Sequence, residues 1–430
     1  MASTIPTGLH LLLGKPLVQY VIDAVKDIVE DKPVIVIGER IEEFQKIIGD
    51  QATFILQDHP SGMEDTILQA EGKLRGVSDL VLVTTADKPL LSIETLAQLV
   101  KEQSTNAGPV TILTFYGDNP HGFGRVVRDG NGEISHIVGE DQTSSQELNA
   151  GVYCFNATWL WEKLSQIVSS TNEEENLAKV IRRAVVDGQI IQAVQLENST
   201  EAVQIQNRVI LAETSAALRS QINQDWMLAG VTYIDPERTY IDRDVKIGQD
   251  TIIYPDTYVY GECWIGEGCR IGPNSIIHRS KIGNRCTVLS SVIEDAIIED
   301  DVDIGPFSHM RKGAHLAQGV HVGNFGEVKN SYLGPGTKMG HFSYIGDGTI
   351  GKNVNIGAGT ITCNFDGKKK NPTIIEDNVF IGSDTMLVAP VKLEKDSRTG
   401  AGSVVTKDVP GKTIVAGVPA RAIRKLEKND

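Results

Sequence analysis

Basic charge, paired cysteines and long apolar runs are all scarce in this chain, and each shortage excludes a class of function. Lysine and arginine total 41 against 56 aspartates and glutamates, a formal net charge of -15 over 430 residues. Nucleic acids and anionic membranes need a basic surface, so neither is expected as the main partner; small anionic substrates can still be held in a local basic pocket. The five cysteines, Cys154, Cys263, Cys269, Cys286 and Cys363, show no C-x-x-C zinc or redox spacing. Cys263 and Cys269 fall at equivalent positions of the repeat described below, where packed thiols are expected rather than a disulfide. No apolar run reaches the roughly 18 residues of a membrane span, and no charged stretch followed by an apolar one opens the chain, so a cytoplasmic protein is expected. A content of 40% hydrophobic and 23% charged residues suits two or three ordinary globular domains.

What is abundant is a repeat. From Ile241 an aliphatic residue recurs every sixth position, at Ile247, Ile253, Val259, Ile265, Ile271 and Ile277. After short slips the register resumes as Ile304, Met310, Leu316, Val322 and Val328, then Met339 and Ile345, then Ile350 and Ile356. Neither a helix nor an exposed strand has that period, whereas a parallel β-helix of hexapeptides does. Small residues after many anchors, as in Ile265-Gly266 and Ile304-Gly305, suit a short strand and a tight corner. The solenoid is expected over about 235–415, with an interrupting loop near Gly357 to Pro372 and a basic tail after Arg421.

The first 200 residues read differently. Val34–Ile37, Leu80–Val83 and Val110–Leu113 have the composition of buried strands, and Leu17–Ile28 and Ile93–Glu102 that of helices between them. This predicts an α/β domain with a largely parallel sheet. Ser199–Leu228 is polar, rich in Gln and Ala and free of Gly and Pro, which predicts one long helix joining the halves.

The segments Arg311-Lys312-Gly313-Ala314, Val322-Gly323-Asn324-Phe325, Gly340-His341-Phe342-Ser343-Tyr344-Ile345-Gly346-Asp347 and Asn355 through Gly367 together form a specific signature. With them the chain resembles, over nearly its whole length, the bifunctional N-acetylglucosamine-1-phosphate uridyltransferase / glucosamine-1-phosphate acetyltransferase (GlmU) family. The resemblance implies a Rossmann-like nucleotidyltransferase domain over 1–198, a linking helix over 199–232 and a left-handed hexapeptide β-helix with its tail over 233–430. It implies acetyl-CoA as co-substrate, glucosamine-1-phosphate as acceptor, and UTP with N-acetylglucosamine-1-phosphate for the first domain. By the same resemblance His341 is the base of acetyl transfer, and a base near neutrality is what deprotonating an amine for thioester attack requires. Arg311, Lys329 and Lys370 match positions that hold the sugar phosphate, where fixed cations give charge-assisted hydrogen bonds. Tyr344 and Asn355 match residues that orient the sugar, and Asn364 one near the reacting centre and the acetyl-CoA. Ala358, Ser383 and Ala401 match the path of acetyl-CoA. A homotrimer with sites between subunits is implied as well.

In the first half, Gly14-Lys15-Pro16-Leu17, Gln57, Gly62, Asp87, Gly122-Phe123-Gly124-Arg125, Glu147-Leu148-Asn149-Ala150-Gly151 and Asn207 match the family. Gln57, Gly62, Gly124 and Asn149 are implied nucleotide and sugar contacts, and Asp87 and Asn207 are implied Mg²⁺ ligands, both hard oxygen donors. The family's first strand and Gly-rich phosphate turn, L-A-A-G-x-G-T-x-M, have no counterpart here, and Thr7 stands in place of a following Lys. Met63 and Gly139 replace a usual Thr and Glu. Losing the cradle and that Lys removes on the order of 4 kcal/mol of transition-state stabilisation. Uridylyl transfer is therefore expected below about 10⁻² s⁻¹, beside robust acetylation. In the tail Gly417 stands where the family has an Arg near the cofactor, with Arg421 or Arg424 as replacements.

Three alternatives remain open: both activities with a segment upstream of Met1, an acetyltransferase for another amino sugar, and a non-enzymatic assembly or regulatory solenoid. His309, His315 and His321 suggest a metal triplet, but six residues advance the chain by one face of a three-faced solenoid. Zinc ligands must converge at about 2.0 Å, so no zinc site is expected there.

Overall fold

The computed structural model describes residues 1–58, 62–117, 122–139, 143–168 and 177–427. The chain folds as two compact units, Met1–Thr214 and Ser215–Asp430.

In the second unit, short strands stack into three long parallel sheets, one per face of a left-handed hexapeptide solenoid. Ile253, Val259 and Ile265 lie on the three faces, and one coil later Ile271, Ile277 and Ile282 pair with them in register. Every anchor of the six-residue register is buried, none more than 7% exposed. Each such side chain removed from water contributes roughly 1.5–3 kcal/mol against the entropy of ordering the coil. The slips are five-residue steps, such as Ile277 to Ile282 and Val328 to Leu333, which shorten a corner while keeping the next aliphatic inward.

The glycine after an anchor has two different causes. A Cβ on Gly266 would lie 2.6 Å from the Gly283 carbonyl of the next coil, so close stacking excludes a side chain there. Gly305 combines the two: it turns a corner at φ 108°, and a Cβ there would also lie 2.1 Å from Leu289 O. The loop interrupting the solenoid is shorter than its sequence suggested. Asn355–Ile356 and Ile361–Cys363 are regular strands, and only residues 364–372 leave the coil before Thr373–Ile375 rejoins it.

The first unit departs from a largely parallel sheet. Its six-stranded sheet is mixed: Ile191–Gln195 runs parallel to Val110–Tyr116, but Glu147–Asn156 runs antiparallel to Val110–Tyr116, Leu80–Val83 and Arg125–Arg128. Among the strands not expected from the sequence, Glu147–Asn156 is the one that reverses the sheet, and a hydrophobic run gives no sign of direction. Val34–Ile37 and Thr53–Leu56 form a separate parallel pair. The helices Leu17–Val25 and Ile93–Thr105 stand where predicted, the second capped by the Ser92 hydroxyl accepting from the Thr95 amide at 3.1 Å.

The joining helix is Arg208–Leu228 rather than 199–232. Ser199–Ala202 is only a 3₁₀ turn. The helix begins where Asn207 caps it, Oδ1 accepting from the amides of Val209 and Ile210 at 2.9 Å each. It stops at Leu228, before Gly230, whose φ is 97°.

Candidate functional site

His341 stands exposed at the corner between the strands Lys338–Met339 and Ser343–Gly346. Coil stacking extends that corner into a column. His341, Ala358, Ser383 and Ala401 each lie two residues beyond the stacked positions Met339, Ile356, Ile381 and Thr399. Corner hydrogen bonds tie successive coils: Gly359 N to Phe342 O at 2.7 Å, Asp384 N to Ala358 O at 2.6 Å and Gly402 N to Ser383 O at 2.8 Å. Gly417 is the next member, since Thr399 pairs with Val415. With coils about 4.8 Å apart the column from His341 to Gly417 is about 19 Å long. Its small side chains let a thin, extended ligand lie against the backbone. The return strand Arg421–Lys425 pairs Arg421 with Ala416, which brings that exposed cation to the far end of the column.

Beside this corner, the face carrying Val259 bears the phosphate candidates. Arg311 donates from Nη1 to Glu327 Oε1 at 2.7 Å, and Glu327 lies in register between His309 and Tyr344. Lys329 is in register with Gly346. A Cβ on Gly346 would fall 2.3 Å from the Tyr344 hydroxyl and 2.7 Å from Asn364 Nδ2, so these two polar groups converge over the bare glycine. Asp347 then accepts from Asn364 Nδ2 and from Asn330 Nδ2, each at 2.6 Å. The 364–372 loop leaves from Asn364 and is closed by Asp366, which accepts from the amides of Lys368 and Lys369 at 2.8 Å and from Asn371 Nδ2 at 3.0 Å. A backbone bridge between Phe365 and Lys370 places exposed Lys370 at the base of this hairpin.

Asn355 is the exception. It lies exposed on the face of Ile253, around the corner from Tyr344 and Arg311. Sequence reasoning missed Glu327, Gly346 and Asp347, although the last two lie inside the quoted signature; only their contacts reveal a role. His309, His315 and His321 occupy three different sheets, and each meets its own carboxylate: Glu294 at 3.2 Å, Glu299 at 2.7 Å and Asp303 at 2.8 Å. They do not converge. Cys263, Cys269 and Cys286 are free thiols packed in the solenoid core.

In the first unit, the Asp87 carboxylate accepts from Thr85 Oγ1 at 2.5 Å and Gln204 Nε2 at 3.0 Å. Ile205 N donates to Asp87 O at 2.8 Å, which anchors beside Asp87 the segment leading to Asn207. Two protein oxygens suit Mg²⁺, which keeps several waters and takes other ligands from phosphates. Asn207 Oδ1 also caps the following helix, a role its predicted metal contact would have to share. Gln57 is buried with its amide engaged, Nε2 donating to Asp65 at 2.7 Å and Oε1 accepting from Thr66 at 2.9 Å. A contact to uracil would replace or supplement these bonds. Gly62 opens the helix Met63–Gln69. Asn149 donates through its amide N to Gly124 O at 2.8 Å and through Nδ2 to the Tyr153 hydroxyl at 2.6 Å. Burial pushes the Tyr153 phenol up to about 12. Burial likewise lowers Lys88 to about 8, partly offset by Asp87. Among the described residues no helix is long and apolar enough to cross a membrane.

The nucleotidyl transferase family profile matches residues 2–227, and hexapeptide profiles match 244–279 (bacterial transferase hexapeptide) and 372–407 (hexapeptide repeat of succinyl-transferase). "Bifunctional protein GlmU" of Thermosipho africanus is 42% identical over 427 residues, covering 99% of this chain and 93% of its own. The protein of that name from Listeria monocytogenes serovar 1/2a is 39% identical over 416 residues, 95% of this chain and 91% of its own. A solved CMP:2-keto-3-deoxy-manno-octonic acid synthetase complexed with CTP overlays at a TM-score of 0.41 with 17% identity, over 51% of this chain and 95% of that one. The nucleotidyl transferase match and the bifunctional relatives span the first unit as fully as the second. The expectation of a near-silent uridyltransferase half is therefore not supported.

Proposed function

The chain belongs to the GlmU family of bifunctional proteins, and from that premise we propose that it carries out two consecutive transfers. The solenoid acetylates the amine of glucosamine-1-phosphate with acetyl-CoA. The first unit then joins the N-acetylglucosamine-1-phosphate to UTP, giving UDP-N-acetylglucosamine and pyrophosphate. The observation that carries this reading is the placement of His341 at the head of the Ala358, Ser383 and Ala401 column, with the cations Arg311 and Lys329 on the adjoining face.

In the acetyl step, the amine nitrogen attacks the thioester carbonyl; a C–N bond forms, the C–S bond breaks, and CoA leaves as the thiol. His341 accepts the proton that the amine must lose and returns it to the departing sulfur to give that thiol. Arg311, Lys329 and Lys370 hold the phosphate, Tyr344 and Asn355 orient the ring, and Asn364 stands at the reacting amine. The cofactor lies along the small-residue column, with Arg421 at its phosphate end.

A homotrimer fits the same geometry. Asn355 faces away from Tyr344, so a residue of its kind serves a site completed by a second copy. Phe307 and Phe325, stacked with centroids 5.6 Å apart, and Phe342 form an exposed apolar stripe beside His341 suited to such packing. In the first unit Asp87 and Asn207 would hold Mg²⁺, which supplies charge neutralisation on the phosphates during uridylyl transfer. Gly124 and Asn149 bind the sugar, and Gln57 and Gly62 the base.

The test is acetylation of glucosamine-1-phosphate against unphosphorylated glucosamine. A preference of at least about tenfold in kcat/KM for the phosphorylated sugar is expected from the charge-assisted contacts. Equal rates would remove the phosphate roles of Arg311 and Lys329.

A further inference from the structure

Lys88 follows Asp87 in the chain and is 2% exposed. Its Nζ lies 5.8 Å from the centroid of the Phe123 ring and 3.6 Å from where a Cβ on Gly151 would be. Phe123 sits between Gly122 and Gly124, and Gly151 donates its amide to Asn149 Oδ1 at 3.0 Å. The ammonium is thus enclosed by the segments assigned to sugar-nucleotide binding. Gly151, at φ 70°, lies directly against the lysine tip, where even a Cβ would be in ordinary contact with Cε and Nζ.

No carboxylate among the described residues forms an ion pair with it. The adjacent Asp87 carboxylate attracts the ammonium without pairing with it and is itself engaged by Thr85 and Gln204, while the ammonium lies over the face of an aromatic ring. Stripping water from an ammonium is costly unless an anion replaces it, and a ring face replaces little of that hydration. An apolar side chain would fill this space without the cost. An anion arriving from outside would supply the full compensation that the protein's own groups do not.

We propose that Lys88 is a substrate-contacting residue that binds a phosphate oxygen of the uridylyl-transfer substrates, from the sugar phosphate or from the nucleotide. This rests on the reading of the first unit as a uridyltransferase. It supplies a protein cation to phosphates that otherwise lack the lysine replaced by Thr7.

The test compares the full-length protein with Lys88→Met and Lys88→Gln. Three quantities are read: KM for UTP and for N-acetylglucosamine-1-phosphate, calorimetric affinity for pyrophosphate with Mg²⁺, and acetyl transfer as an internal control. Removing a charge-assisted contact should lower uridylyl kcat/KM and pyrophosphate affinity by about 10- to 100-fold, with acetyl transfer and melting temperature retained. A rise confined to KM for the sugar phosphate assigns the contact to that substrate; one confined to UTP assigns it to the nucleotide. Wild-type parameters in both variants would overturn the role of Lys88 and leave the uridyltransferase reading standing. A wild-type protein that neither binds pyrophosphate nor forms the sugar nucleotide would overturn both. Should Lys88→Met lose its fold, Lys88→Gln, which keeps a polar tip, gives the deciding values.

Discussion

Asp347 accepts a 2.6 Å hydrogen bond from Asn364 Nδ2, and this fixes the orientation of the Asn364 amide. Because the amide is planar, tying its nitrogen to Asp347 leaves Oδ1 directed away, where nothing among the described residues donates to it. An acceptor so placed suits the N–H of a reacting amine. Asp347→Ala should free the amide to rotate and lower kcat for acetyl transfer by about 10-fold or more, with a much smaller change in KM for either substrate. Equal losses in kcat and in thermal stability would reduce Asp347 to a structural brace.

Gly346 supports the same geometry by absence. Its Cβ would sit within 2.3 Å of the Tyr344 hydroxyl and 2.7 Å of Asn364 Nδ2. Both contacts are side-chain tips, so Gly346→Ala should fold while moving the two groups. Acetyl transfer should drop by about 10- to 100-fold, as small misplacements at a reacting centre do. Wild-type turnover in this variant would show that Tyr344 and Asn364 need not converge.

The small-residue column makes a prediction about the cofactor. Ala401→Phe places bulk two coils beyond Ala358, on the proposed acetyl-CoA path, at an exposed corner where folding is indifferent to it. KM for acetyl-CoA should rise by at least about tenfold while uridylyl transfer is unaffected. An unchanged KM would move the cofactor off this corner.

The middle coils carry an ion-pair ladder whose pH dependence has a definite sign. Arg285 donates to Asp301 at 2.6 and 2.9 Å and holds its carboxyl down to about 2. A carboxyl depressed on folding contributes stability that is present above its ordinary range near 4 and is lost as pH falls toward 2. Arg285→Ala should raise the Asp301 value toward normal, as read by carboxyl NMR, and shift acid unfolding slightly upward in pH. The pair is exposed, so about 1 M salt should erase the difference.

The solenoid was readable because one inward aliphatic per six residues is imposed by burial at every coil, and Ile241 to Ile356 obey it. Its slips were readable only as gaps, since removing one corner residue leaves the anchors unchanged. The reversed strand Glu147–Asn156 escaped detection because strand direction is set by pairing with Val110–Tyr116 and Leu80–Val83, not by composition. The joining helix was placed too early because Ser199–Ala202 has helical composition, whereas the cap that starts the helix is Asn207. His341, Arg311 and Tyr344 were legible as residue types within a signature. Asp347, Gly346 and Lys88 lay in plain view, but their roles depend on neighbours far apart in sequence.

The central claim, two transfers in series within one chain, is tested most directly by supplying UTP, acetyl-CoA and Mg²⁺ with either glucosamine-1-phosphate or N-acetylglucosamine-1-phosphate and following UDP-N-acetylglucosamine. The wild-type protein should form it from both sugars, and His341→Ala should form it at the normal rate only from the acetylated one, with acetylation reduced about 10²-fold or more. A His341→Ala protein that converts glucosamine-1-phosphate as fast as wild type, or a wild-type protein that makes no sugar nucleotide from either substrate, would contradict the account.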